Sequence, residues 1–201
     1  MPGSDVRAAL EPVIEVFERL GVAYEIGGSI ASSAYGVARS SLDVDVVADL
    51  GPSHVDPLVE SLRHTYYADS HLIAEAVRRR SSFNLIHLST MMKVDVFVLK
   101  DRAYDRESMK RRRLEALEQD SAAPGVYFTA PEDVVLHKLE WYRAGGEVSE
   151  RQWLDVLGVL KVQRESLDRD YLRKWAGILG VDDLLSRAFE DAGPPFVDGI
   201  S

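Results

Sequence analysis

Ile26-Gly27-Gly28-Ser29 and, after the thirteen residues 30–42, Asp43-Val44-Asp45 form the stretch on which the reading of this chain turns. Upstream, Val22 to Ile26 reads as a short strand running into the glycine pair. Downstream, Ser29 to Tyr35 reads as a helix rich in small residues that Gly36 ends. A glycine pair between strand and helix lets the backbone approach a ligand closely. The helix start then offers unpaired N–H groups and a positive dipole end to a phosphate, and Ser29 adds a hydroxyl donor. No Gly-Lys-Ser/Thr follows, so this is not a Walker loop, and the spacing is not that of a Gly-x-Gly-x-x-Gly dinucleotide turn. Taken alone, the Gly-Gly turn has an ordinary structural reading as well.

The two acids are more telling. Leu42 to Ala48 has strand character, with Val44 and Val46 on one face and Asp43 and Asp45 on the other, because residues i and i+2 of a strand point the same way. Two carboxylates held side by side repel unless a cation sits between them. Oxygen-only ligands suit Mg²⁺ or Mn²⁺. The competing reading is the polar face of an edge strand. Asp95 bears on the choice. It lies within Lys93-Val94-Asp95-Val96-Phe97-Val98-Leu99, an otherwise apolar strand in which an unpartnered acid is costly. Val94, Val96 and Val98 share one face there, and Lys93, Asp95, Phe97 and Leu99 the other. If this strand pairs beside the Asp43–Asp45 strand, three carboxylates converge and could hold two metal ions about 4 Å apart. A plain surface position for Asp95 is the alternative.

Around this centre the chain reads as follows. Val6, Leu10, Val13, Ile14, Phe17 and Leu20 recur at helical spacing up to Gly21. Ser53 is expected to cap a helix through about Arg63, and a further helix is expected near Leu72 to Arg79. Ser82 to Leu88 and Met92 to Leu99 are expected to form a hairpin. Tyr104 to Leu117 reads as a polar, exposed helix, and Val126 to Thr129 as a last short strand. From Pro131 the pattern is helical: one helix to Gly145-Gly146, a second capped by Ser149, and two more around 168–179 and 182–189. The expectation is an α/β (α+β) fold, with a mixed β-sheet core flanked by helices over residues 1–129 and a small helical module over 130–201.

Composition narrows the function classes. With 201 residues, 46% hydrophobic and 28% charged, the chain reads as an ordinary globular protein, and no apolar stretch approaches the roughly 20 residues of a membrane span. Met1-Pro2-Gly3-Ser4-Asp5 has neither a basic nor an apolar leader region, so no secretory signal is expected. The absence of cysteine excludes disulfides and thiolate-bound zinc and fits a cytoplasmic setting. A net charge of −9 argues against a general nucleic-acid coat. Arg78-Arg79-Arg80 and Lys110-Arg111-Arg112-Arg113 are local exceptions, readable as solvated faces or as a basic rim for a polyanionic acceptor.

Gly27-Gly28-Ser29, Arg39-Ser40-Ser41-Leu42-Asp43-Val44-Asp45 and Asp95 together resemble the DNA polymerase β-type nucleotidyltransferase superfamily. More narrowly, they resemble minimal bacterial nucleotidyltransferases similar to the AbiEii toxin-like group. The resemblance covers the first hundred residues and extends more loosely to Glu132-Asp133-Val134-Val135-Leu136-His137-Lys138-Leu139 and Gln152-Trp153-Leu154-Asp155-Val156-Leu157. It implies that Gly27, Gly28 and Ser29 hold the phosphates of a nucleoside triphosphate, and that Asp43 and Asp45 ligate Mg²⁺ or Mn²⁺. Asp95 would ligate the catalytic metal and help deprotonate an acceptor hydroxyl. Arg39 and Lys138 would approach the nucleotide, against the alternatives of a helix-end and a solvated position. His137 points about 100° away from Lys138 on the same helix and reads as structural; Asp155 has no assigned role.

The expected activity is metal-dependent transfer of a nucleoside monophosphate from a triphosphate to an acceptor hydroxyl, with release of pyrophosphate. RNA, protein and small molecules stay open as acceptors, as does a toxin or antitoxin partner; no membrane partner is expected. The competing class is a catalytically silent nucleotidyltransferase fold that binds a nucleotide or a partner. The intact acid trio argues against it.

Overall fold

The computed structural model describes residues 2–38, 43–117 and 125–193. By compactness the chain divides into two units, Met1–Ile30 with Ser40–Thr129, and Ala31–Arg39 with Ala130–Ser201.

The first unit holds the sheet. Its elements are α1 (Pro2–Arg19), β1 (Tyr24–Ile26), the start of α2 (Gly28–Tyr35), β2 (Asp43–Ala48), a 3-10 turn (Pro52–His54), α3 (Val55–Leu62), β3 (Tyr66–Tyr67), α4 (Ser70–Arg79), β4 (Ser82–His87), β5 (Lys93–Val98), α5 (Ala103–Arg111), β6 (Arg113–Glu115) and β7 (Val126–Phe128). The seven strands lie in the order β3-β4-β5-β2-β1-β7-β6. The sheet is mixed: β2 with β5 and β1 with β7 are parallel, and the other neighbours are antiparallel.

Alternation in the central strands decides which face is covered. Val44, Val46, Val94, Val96 and Leu85 are fully buried and share the covered face. Leu10, Val13 and Phe17 of α1 and Leu58 of α3 are also fully buried, and α1 meets both α3 and β5. Removing such branched side chains from water is the main stabilising term, roughly 1.5–3 kcal/mol for each large one. Tyr66 ties the edge strand β3 to α1, its hydroxyl donating to Ala9 O at 2.8 Å. On the other face, Asp43 is exposed and Asp45, Val47, Lys93, Asp95 and Phe97 are half-buried.

The second unit packs α6 (Pro131–Ala144), α7 (Glu150–Gln163), α8 (Arg169–Leu179) and α9 (Asp182–Asp191) around Leu136, Leu139, Val159, Leu160, Leu172 and Ala188. The end of α2 belongs to it. A Cβ on Gly36 would fall 2.8 Å from Val159 N, so only glycine lets that turn approach α7. Buried acids there are satisfied: Glu132 accepts from Asp168 N at 3.0 Å, and Asp133 from the Tyr171 hydroxyl at 2.7 Å. Asp168 and Ser149 cap α8 and α7 by accepting from Tyr171 N and Gln152 N.

Three expectations need correction. Ser53 caps nothing; it lies inside the 3-10 turn, where His54 Nδ1 accepts from Gly51 N at 3.0 Å. The helix expected over 104–117 stops at Arg111, and the chain returns as β6 against β7. Nor is that helix exposed. Tyr104, Ser108 and Met109 are buried, and Ser108 donates to Glu25 at 3.2 Å. Its charged majority hid the buried stripe. The strands β3 and β6 had not been expected, because segments of two and three residues carry no alternation of their own. Among the described residues, no helix is long and apolar enough to cross a membrane.

Candidate functional site

At the end of β1 the chain turns on its two glycines. Gly27 N donates to Asp45 O at 2.9 Å, joining the turn to β2 beyond the last β1–β2 ladder pair, Ile26 with Val46. Gly28 follows with φ +56° and opens α2. A Cβ on Gly28 would lie 1.7 Å from Asp45 Oδ2, so the Asp45 carboxylate occupies the space that any other residue would fill. It thereby stands at the start of α2, where the helix dipole favours negative charge. Ser29, the next residue, is buried. Thr129 lies on the other side of the turn. Its N–H donates to Ile26 O at 2.9 Å, and its buried hydroxyl has no hydrogen-bond partner among the described residues.

Strand register gathers the acids. β2 and β5 run parallel with Asp43 opposite Lys93 and Asp45 opposite Asp95, and the antiparallel β4 places Asn84 opposite Asp95. Adjacent strands lie about 4.8 Å apart, so Asn84, Asp95, Asp45 and the Gly27 turn form one row across the sheet. The condition set by the sequence, that the Asp95 strand should pair beside the Asp43–Asp45 strand, is met residue for residue. Asp95 is the most covered of its ion pair, its side chain 17% exposed against 39% for Lys93.

Lys93 is the residue that sequence reasoning missed. Its ammonium lies 2.8 Å from Asp95 Oδ2 and 3.9 Å from Asp43 Oδ1. The hydrogen bond to Asp95, with the charges of Asp43 and Asp45 behind it, holds the amine above its ordinary pKa against the opposing effect of burial. The signal was present: Lys93 stands two residues before Asp95 and therefore on its face.

As they stand, no three acidic or histidine side chains among the described residues are spaced to ligate one metal ion. The donor set nevertheless fits a hard divalent cation. It consists of carboxylate oxygens, two of them in register on adjacent strands, with a positive charge already drawn among them.

The remaining expected positions lie elsewhere or outside the described residues. Arg39 is in the stretch 39–42, which is not among them. Lys138 belongs to the helical unit, where its ammonium bonds Asp155 Oδ2 at 2.7 Å, with the two side chains 12% and 7% exposed. That ion pair gives Asp155 the role it lacked. The basic runs are engaged locally. Arg78 and Arg79 both pair with Glu75, Arg80 donates to Leu99 O, Lys110 pairs with Glu107, and Arg112 lies over the Tyr127 ring.

No protein-family model and no curated protein sequence matches the chain. Solved structures do. The antibiotic-resistance factor ANT(2'')-Ia superposes with a TM-score of 0.56 at 13% identity, over 95% of this chain and all of that one. An antigenic nucleotidyltransferase-like protein from Paracoccidioides brasiliensis superposes with a TM-score of 0.55 at 13% identity, over 93% of each chain. The likeness spans nearly the whole of each molecule, and the chain has the nucleotidyltransferase fold.

Proposed function

We propose that the protein is a metal-dependent nucleotidyltransferase that moves a nucleoside monophosphate from a nucleoside triphosphate to an acceptor hydroxyl and releases pyrophosphate. One observation carries the reading: Asp45 and Asp95 stand side by side on parallel strands, with Gly28 opening a helix against the Asp45 carboxylate. Backbone N–H groups at the start of α2, with Ser29, bind the β- and γ-phosphates. Asp43, Asp45 and Asp95 hold Mg²⁺ or Mn²⁺, which would supply charge neutralisation at the transferring phosphate and a more acidic acceptor hydroxyl. Asp95 orients the acceptor oxygen and takes its proton as the new P–O bond forms and pyrophosphate leaves. The rate gain comes from positioning and electrostatics, with no covalent enzyme intermediate.

The resemblance also assigns Arg39 and Lys138 to the nucleotide; for Lys138 this means leaving the Asp155 carboxylate that now holds it. The Arg39-to-Asp45 run supports the AbiEii toxin-like group as the subgroup, with a toxin or antitoxin partner as its corollary. Two observations favour an acceptor that is not a polyanion, and so a small hydroxylated molecule or a protein before RNA: the net charge of −9, and local partners for both basic runs.

The test is incubation with α-labelled nucleoside triphosphates and Mg²⁺ in the presence of RNA, protein extract or small hydroxylated amines, beside Asp43→Ala. Label should pass to one acceptor class and fail to do so in the variant. Absence of both incorporation and Mg²⁺-dependent nucleotide binding would overturn the proposal.

A further inference from the structure

Three carboxylates on one face of two paired strands repel each other, and a fold must hold them together before any ligand arrives. Here a lysine does so. Lys93 rises from β5 opposite Asp43 and reaches Asp95 Oδ2 at 2.8 Å and Asp43 Oδ1 at 3.9 Å. Its ammonium is thus a point charge on a flexible stem, set between Asp43 and Asp95. Its side chain is 39% exposed, so it is free to swing outward without disturbing the covered face of the sheet.

We infer that Lys93 is a positioning residue that occupies the cation place among Asp43, Asp45 and Asp95 until metal and nucleotide arrive together. This rests on the nucleotidyltransferase reading and deepens it. A divalent ion alone must displace an ammonium already bonded to Asp95, with no new partner offered to the lysine in return. A metal–triphosphate complex brings both: the ion takes the carboxylates, and the phosphates give the displaced ammonium an anion to bind. The two ligands are therefore coupled through one side chain, and free metal is held off while the nucleotide complex is admitted.

The test measures two affinities, for Mn²⁺ alone by electron paramagnetic resonance, and for α,β-methylene-ATP at saturating Mn²⁺ by calorimetry. It compares the full chain with Lys93→Met, Lys93→Gln and Lys93→Arg. Removing the charge should tighten Mn²⁺ alone by roughly tenfold and weaken the nucleotide analogue by about fivefold. Lys93→Arg should stay near the parent in both. Opposite signs are the signature, because a merely structural lysine would move both affinities down or neither. Equal Mn²⁺ affinity in parent and variants, or a parallel change in the two, overturns the Lys93 role and leaves the transferase reading standing. No Mn²⁺ binding by any of the proteins, with or without the analogue, overturns both. The Gln variant, polar and similar in length, gives the same reading should Met compromise folding.

Discussion

A Cβ on Gly28 would lie 1.7 Å from Asp45 Oδ2, whereas one on Gly27 would meet Thr129 Oγ1 at an ordinary 3.5 Å. Only Gly28 has a positive φ, +56°. The pair that reads as one motif in the sequence is therefore two residues with different duties. Gly28→Ala combines left-handed strain with an overlap that must push the carboxylate aside, and should cost roughly 3 kcal/mol in urea unfolding. It should also lower transfer by about a hundredfold through misplacement of Asp45. Gly27→Ala should stay within about 1 kcal/mol of the parent. Equal costs for the two would contradict the geometry. The acids themselves were legible, because an Asp alternating with valines announces its face. Lys93 stands in the same alternation, but nothing in its own type distinguishes a lysine turned toward acids from one turned toward water.

Among the elements, those with a pattern of their own could be read from the chain: the alternating β2, β4 and β5, and α1, α6 and α7 with their apolar stripes. Those made by pairing could not. β3 is Tyr66-Tyr67 and exists because β4 presents an edge to it; β6 exists because β7 does. The parallel register that sets Asp45 beside Asp95 is likewise a long-range outcome, conditional in the sequence and settled only by the fold. Lys138 on α6 and Asp155 on α7 show the same limit. Each reads alone as a polar residue on a helix, and together they form a largely buried ion pair. Removing one partner strands the other's charge. Asp155→Ala should therefore destabilise the helical unit by roughly 3 kcal/mol, while the double change Lys138→Met with Asp155→Leu should recover much of that loss. Thermal unfolding of the single and double variants checks this, and additive losses would contradict it.

Over the whole molecule, two buried tyrosines set an alkaline limit on stability. Burial pushes the hydroxyls of Tyr24 and Tyr66 well above their ordinary pKa of 10.0, and the Glu18 carboxylate beside Tyr24 adds to its shift. In the folded chain both stay protonated where the unfolded chain would ionise them. Their contribution is thus complete below about pH 10 and is lost as pH rises beyond it. Urea midpoints should be level from pH 8 to 9.5 and fall above 10. Tyr66→Phe, deprived of its bond to Ala9 O, should be less stable at pH 8 and flatter above pH 10. The acid trio bears on chemistry in place of stability, and the claim that it serves nucleotidyl transfer has a direct test. Parallel reactions would contain each nucleoside triphosphate labelled at either the α- or the γ-phosphate, with Mg²⁺ and the acceptor panel, for the parent and Asp95→Asn. Nucleotidyl transfer requires that the α label enter the acceptor while the γ label leaves in pyrophosphate, and that Asp95→Asn abolish both. Release of the γ label as inorganic phosphate, or its entry into the acceptor with the α label left in a nucleoside diphosphate, would contradict it.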